Sequence, residues 1–207
     1  MRKYPLVSVI HLTKTLVLAG LMVVTSAKAT TIYDNLGAVS GGGDPVWLFG
    51  PYDSFTSAGT DQALTGLQFA LSGSGLAGTL TVGLYGDSSA TPGALITTLG
   101  MIDTTTITTG VNDYTLALLS HPVLTANTRY WIGLSDTDHV RWAWTSSWSG
   151  VGVASEYFAN STGVYANKPN GPYMMQLTTG SVPDVGSTAS LLGLAVAGLI
   201  GLRRKLA

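Results

Sequence analysis

Two aspartates one residue apart, Asp136 and Asp138, are spaced so that a single loop offers both carboxylates to Ca²⁺. Calcium takes about six to eight oxygen ligands, so the pair needs Asp87 or Asp44 to converge on it. The simpler reading is a polar loop whose charge is balanced by nearby Arg141. Trp131, Trp142, Trp144 and Trp148 carry flat rings of the kind that stack on the apolar faces of pyranose sugars. Trp142 and Trp144 fall on one face of a strand, the pattern of a buried core. Trp148 sits in the loop-like run Ser146-Ser147-Trp148-Ser149-Gly150 and is the candidate glycan contact. No catalytic residue is assigned. His121 precedes Pro122 and reads as a loop cap, and neither it nor His139 lies in a motif of nucleophilic catalysis. A nucleophile elbow, a phosphate loop and a zinc-protease helix motif are all missing. Glu156 is the one Glu in the chain, so a glutamate pair for glycoside hydrolysis is excluded. The expectation is a non-enzyme with no cofactor, calcium apart.

The elements that must position these residues read as strands. Between Thr30 and Gly180, Thr, Val, Leu and aromatics are frequent, glycine is common and helical periodicity is missing. Thr79 to Tyr85 alternates cleanly, with Leu80, Val82 and Leu84 on one face. Arg129 to Leu134, Val140 to Trp144, Thr31 to Tyr33, Leu64 to Leu71, Ala94 to Ile102, Tyr114 to Leu118 and Tyr173 to Leu177 are further strand candidates. Gly86 to Gly93 reads as a long polar loop, Ser120-His121-Pro122 as a break, and Ser135 to His139 as a hairpin connection. This pattern predicts an all-β fold, an antiparallel β-sandwich of jelly-roll character.

The last 26 residues are organised differently. Val182-Pro183-Asp184-Val185-Gly186-Ser187-Thr188 precedes an uncharged run ending at Leu202, and Arg203, Arg204 and Lys205 follow. As a helix, residues 187–202 span roughly 24 Å, a little short of a typical bilayer core, a mismatch that flanking residues and local thinning accommodate. The three basic residues act as a cytoplasmic membrane stop. Pro183 favours extended backbone before it, giving an accessible strip at the membrane surface. This arrangement resembles the PEP-CTERM class of bacterial sorting signals, nearest its VPDSG variant, with Val185 where that variant has Ser. The resemblance implies that Val182, Pro183, Asp184 and Gly186 form a sorting motif, and that an exosortase cuts near it.

Residues 1–29 read as a secretory signal peptide. Arg2 and Lys3 open it, Leu16 to Val24 is its apolar stretch, and Ala27-Lys28-Ala29 is a small-x-small cleavage pattern. The implied partners are the Sec translocon and signal peptidase. Residues 30–184 hold three basic residues, Arg129, Arg141 and Lys168, against eleven acidic ones, a formal charge of −8. That sign excludes a nucleic-acid partner. Cysteine is absent, so no disulfide supports the exported part and it must rest on its own core.

Within residues 30–181, Tyr33-Asp34-Asn35-Leu36, Gly41-Gly42-Gly43, Val82-Gly83-Leu84-Tyr85, Pro92-Gly93-Ala94-Leu95 and Asn127 to Leu134 resemble the choice-of-anchor R domain. The resemblance implies surface localisation and a β-rich domain, and brings no catalytic residues. The expected organisation is thus a signal peptide (1–29), an exported domain (30–181) and a sorting signal (182–207). It passes through the inner membrane to the cell envelope or extracellular matrix, in a structural or adhesive role. The alternative is a surface glycan-binding module with extracellular polysaccharide as partner.

Overall fold

The structure, a computed structural model, describes residues 29–136, 139–167 and 171–182. In chain order the first strands are β1 (Thr30–Asp34), β2 (Gly42–Pro45), β3 (Tyr52–Thr56), β4 (Gln62–Ser72) and β5 (Thr79–Asp87). Then come β6 (Pro92–Asp103), β7 (Asn112–Thr115), β8 (Val123–Leu124) and β9 (Arg129–Ser135). β10 (Arg141–Trp144), β11 (Tyr157–Asn160), β12 (Gly163–Ala166) and β13 (Met175–Ser181) complete the set. Helix is confined to one turn, α1 (Val46–Phe49), and a 3-10 turn at Thr104–Thr106. No helix among the described residues is long and apolar enough to cross a membrane, and the expected membrane helix at 187–202 lies outside them.

The strands form two antiparallel sheets. One has seven strands in the order β1-β13-β4-β10-β2, with β7 and β8 also paired to β4; the other runs β12-β11-β3-β9-β5-β6. The chain passes repeatedly between them, so neighbours in sequence are often in different sheets. Alternation explains how both sheets build one core. Leu80, Val82 and Leu84 of β5 are buried, as their spacing predicts, and join Tyr130, Ile132 and Leu134 of β9. Phe69 of β4, Trp142 of β10 and Leu177 of β13 supply the other side of the same cluster. Trp142 stacks on Tyr173 with centroids 4.8 Å apart, meets Phe69 edge-on, and donates its indole N–H to the Met174 carbonyl at 2.9 Å. A buried indole with its donor satisfied contributes on the order of 2–3 kcal/mol from apolar burial.

Two connections differ from expectation. The polar run at 86–93 is half ladder: β5 extends to Asp87 and β6 begins at Pro92, which leaves residues 88–91 as a tight turn. The segment 135–139 is not a hairpin, because β9 and β10 belong to different sheets. Length and polarity alone do not separate a hairpin turn from a crossing between layers.

Candidate functional site

Trp148 is 49% exposed, and the loop around it rims a shallow depression with Asp34, Asn35 and Val151. Hydrogen bonds among Thr145, Ser147 and Ser149 shape this loop. Trp142 is fully buried and Trp144 half-buried at the core's edge, on the shared face that their spacing predicts. Trp131 is also fully buried, yet it belongs to neither apolar cluster. It alternates with Tyr130 and Ile132, which face the core, so it lies on the outer face of its sheet. There its indole N–H donates to Asp87 Oδ1 at 2.8 Å. Sequence reading passed over Trp47, which is 51% exposed and lies against the His139 ring at 5.8 Å. It lies on the helical turn α1, between Pro45 at the end of β2 and the left-handed Gly50.

Of the calcium candidates, Asp136 Oδ2 accepts the Val140 N–H at 3.0 Å, as a turn residue does, and Asp138 lies outside the described residues. Asp87 and Asp44 are each engaged elsewhere, Asp87 by Trp131 and Asp44 by Tyr173. No group of three or more His, Cys, Asp or Glu among the described residues is placed to hold a metal ion. Arg141 donates to the Gly43 carbonyl at 2.9 Å, tying β10 to β2.

Glu156 is buried within a complete set of partners. Its Oε1 accepts from Thr56, and its Oε2 from Ser54 Oγ at 2.5 Å and Arg129 Nε at 3.0 Å. The Arg129 guanidinium lies over the Tyr157 ring at 4.8 Å. These contacts lock the segment before β11 onto the outer face of β3. His121 is held likewise, its Nδ1 donating to the Leu64 carbonyl at 3.0 Å.

A cleft of about 350 Å³ opens where the β2–β10 side of one sheet meets the β11–β12 hairpin of the other. Asp44 is among its lining residues. Its Oδ2 accepts the Tyr173 hydroxyl at 2.6 Å and the Asn160 amide at 3.4 Å. Burial first, then its bond to Asp44, raises the Tyr173 phenol above its usual range. Tyr173 therefore stays protonated and keeps donating. Rings form part of the wall: Tyr165 stacks on Phe158 with centroids 5.1 Å apart, and Trp144 also lines the cleft. The glycines at 41 and 42 explain how Trp144 lies as it does. A Cβ on Gly41 would collide with the indole, and one on Gly42 would come within 2.8 Å of it. Only bare backbone lets the ring settle there.

Val182 is exposed at the end of the described fold; Pro183, Asp184 and Gly186, like Arg203, Arg204 and Lys205, lie outside the described residues. Residues 181–206 match the family model described as the VPDSG-CTERM motif. The chain thus carries a C-terminal sorting signal of PEP-CTERM type, the mark of an exported, cell-surface protein and consistent with an exosortase as processing partner. No curated protein and no solved structure matches the chain.

Proposed function

We propose that this chain is a non-enzymatic surface protein delivered through its C-terminal signal. Residues 1–29 send it into the general secretory pathway, and signal peptidase releases Thr30 as the new N-terminus. Residues 187–202 hold it in the inner membrane, with Arg203, Arg204 and Lys205 retained inside. An exosortase then cuts near Pro183 to Gly186. The product is residues 30–181, a sandwich of jelly-roll character and of the choice-of-anchor R kind. Its role in the envelope or the extracellular matrix is structural or adhesive.

The observation that supports this reading is where the ladder stops. Ser181, the last residue of β13, pairs with Gln62, and the VPDSG-CTERM match begins at residue 181. A cut within the motif removes none of the described strands from either sheet. Mass spectrometry of the mature C-terminus in the native host tests the proposal. A terminus between Val182 and Gly186 is expected, and a surface protein still ending at Ala207 overturns processing.

The exposure of Trp148 favours a second reading, a glycan-binding module with contacts at Trp148 and at Asp136 or Asp138. A glycan array probed with the protein and with Trp148→Ala decides it. Binding that vanishes in the variant supports the reading, and no binding above background removes it.

A further inference from the structure

We infer that the cleft between β2–β10 and the β11–β12 hairpin is a binding site for a neutral hexose, with Asp44 and Asn160 holding its hydroxyls and Tyr165 and Trp144 facing its ring. It shares no lining residue with the Trp148 loop and does not depend on the processing reading.

The polar groups carry the argument. Asp44 spends Oδ2 on Tyr173 and Asn160, while its Oδ1 accepts no hydrogen bond from the described residues and is not enclosed by protein. Asn160 spends Oδ1 on the N–H and hydroxyl of Thr162, at 2.9 and 2.6 Å. Its Nδ2 is left with two long contacts, 3.4 Å to Asp44 and 3.3 Å to Tyr173. Both exceed the usual ~2.7–3.2 Å range, so this donor is under-used. The cleft therefore presents a fixed charged acceptor beside an available donor. A sugar hydroxyl is both donor and acceptor and fits the pair: it gives its proton to Asp44 and accepts from Asn160.

The walls fit the rest of a sugar. Tyr165 backs onto Phe158, and Trp144 lies against Gly41 and Gly42, so both rings are braced before a ligand arrives. Braced rings cost little ordering entropy on binding. Their faces suit the C–H side of a pyranose. A volume of about 350 Å³ is at the small end of small-molecule clefts and matches one or two rings. Charge selects among sugars. Among the described residues the lining includes Asp44 and neither Lys nor Arg, so a uronate or a sulfated sugar meets a like charge there.

The test titrates the full chain, in a detergent without a sugar headgroup, with methyl glucoside, methyl mannoside, galactose and N-acetylglucosamine. Tryptophan fluorescence and saturation-transfer NMR are the readouts, with glucuronate as the charged comparison. At least one neutral sugar should bind saturably and glucuronate should not. Asp44→Asn and Tyr165→Ala should each weaken binding by about tenfold or more, while Trp148→Ala leaves it unchanged. Tyr165 is partly exposed, so its variant tests the wall even if Asp44→Asn unfolds. Absence of saturable binding by all four neutral sugars overturns the inference. So does unchanged affinity in a folded Asp44→Asn or Tyr165→Ala protein, and loss on Trp148→Ala alone moves the site to that loop.

Discussion

The hydroxyl of Tyr33 on β1 donates to Oδ1 of Asp53 on β3 at 3.4 Å, joining the two sheets through the middle of the core. Both residues are fully buried. Burial, with the Glu156 charge adding to it, pushes the Asp53 carboxyl well above the usual carboxylate range. Burial and the charge of Asp53 likewise push the Tyr33 phenol up. Asn167 reaches the same hydroxyl from its amide at 3.5 Å. Oδ2 of Asp53 and Oδ1 of Asn167 remain buried without partners. Such a half-satisfied network lowers stability, by about 1–3 kcal/mol for each unpartnered group.

Asp53→Asn should therefore stabilise the protein at neutral pH, by roughly 1–3 kcal/mol in urea denaturation. It keeps the shape of the side chain and removes its ionisation. The pH dependence has a definite sign. The folded protein holds the Asp53 proton above the ordinary value of 3.8, where the unfolded chain has released it. Stability linked to this group is full below that value and falls as pH rises through the raised one. Comparing the two proteins from pH 4 to 8 isolates it: the advantage of the variant should grow with pH. An advantage that shrinks means Asp53 is ionised in the fold.

Among the described residues Arg129 is the one cation bonded to Glu156, whose carboxylate is buried while Arg129 is partly exposed. Removing it leaves Ser54 and Thr56 as donors to an uncompensated charge. Arg129→Ala should cost about 3 kcal/mol, the low end for breaking a buried pair. Lysine restores the charge but not the planar donor or its place over Tyr157, so Arg129→Lys should recover only part of the loss. Chemical denaturation of the three proteins checks both expectations.

The same two buried acids explain what the sequence concealed. Strands with regular alternation, such as β5 and β9, were legible because each core-facing position is apolar. β3 was not, because Asp53 takes a core-facing place beside Phe55 and breaks the pattern. β2 reads Gly-Gly-Asp-Pro and has no apolar residue to mark it as a strand. β11 and β12 are short, and the turn run Asn160-Ser161-Thr162 hides the hairpin between them. The cleft was illegible for the same reason. Asp44, Trp144 and Asn160 lie on strands far apart in sequence; the pairing of β2 with β10 joins the first two, and the meeting of the two sheets brings in Asn160. The exposed setting of Trp148, by contrast, followed from its small polar neighbours.

Gly152 has φ +69°, and a Cβ there would collide with the Ile32 carbonyl oxygen, which is rigid backbone. It sits beside Val151, whose N–H and carbonyl both bond to Asp34 at 3.1 and 3.0 Å. Gly152→Ala should cost at least about 1–2 kcal/mol, a fall in Tm of roughly 2–8 °C. The damage should also reach the 146–152 loop, so amide exchange at Val151 and Asp34 should quicken more than exchange in β5. Equal protection in both places would mean the loop is not held by that bridge.

Ser181 and Met174 mark two very different places to end the chain. β13 lies between β1 and β4, and Met175, Leu177 and Thr179 are fully buried. A chain ending at Val182 keeps every ladder pair of β13. It should melt cooperatively, within about 2 °C of the full chain, since every buried residue of the described core is retained. Ending at Met174 removes a strand paired on both sides. It exposes β1 and β4 and deletes Met175 and Leu177, each worth roughly 1.5–3 kcal/mol of burial. That loss rivals the whole stability of a domain, so the shorter chain should lack near-UV circular dichroism and a cooperative transition. If the Val182 form also fails to melt cooperatively, the signal is part of the folding unit, and cleavage at the motif cannot release a stable product.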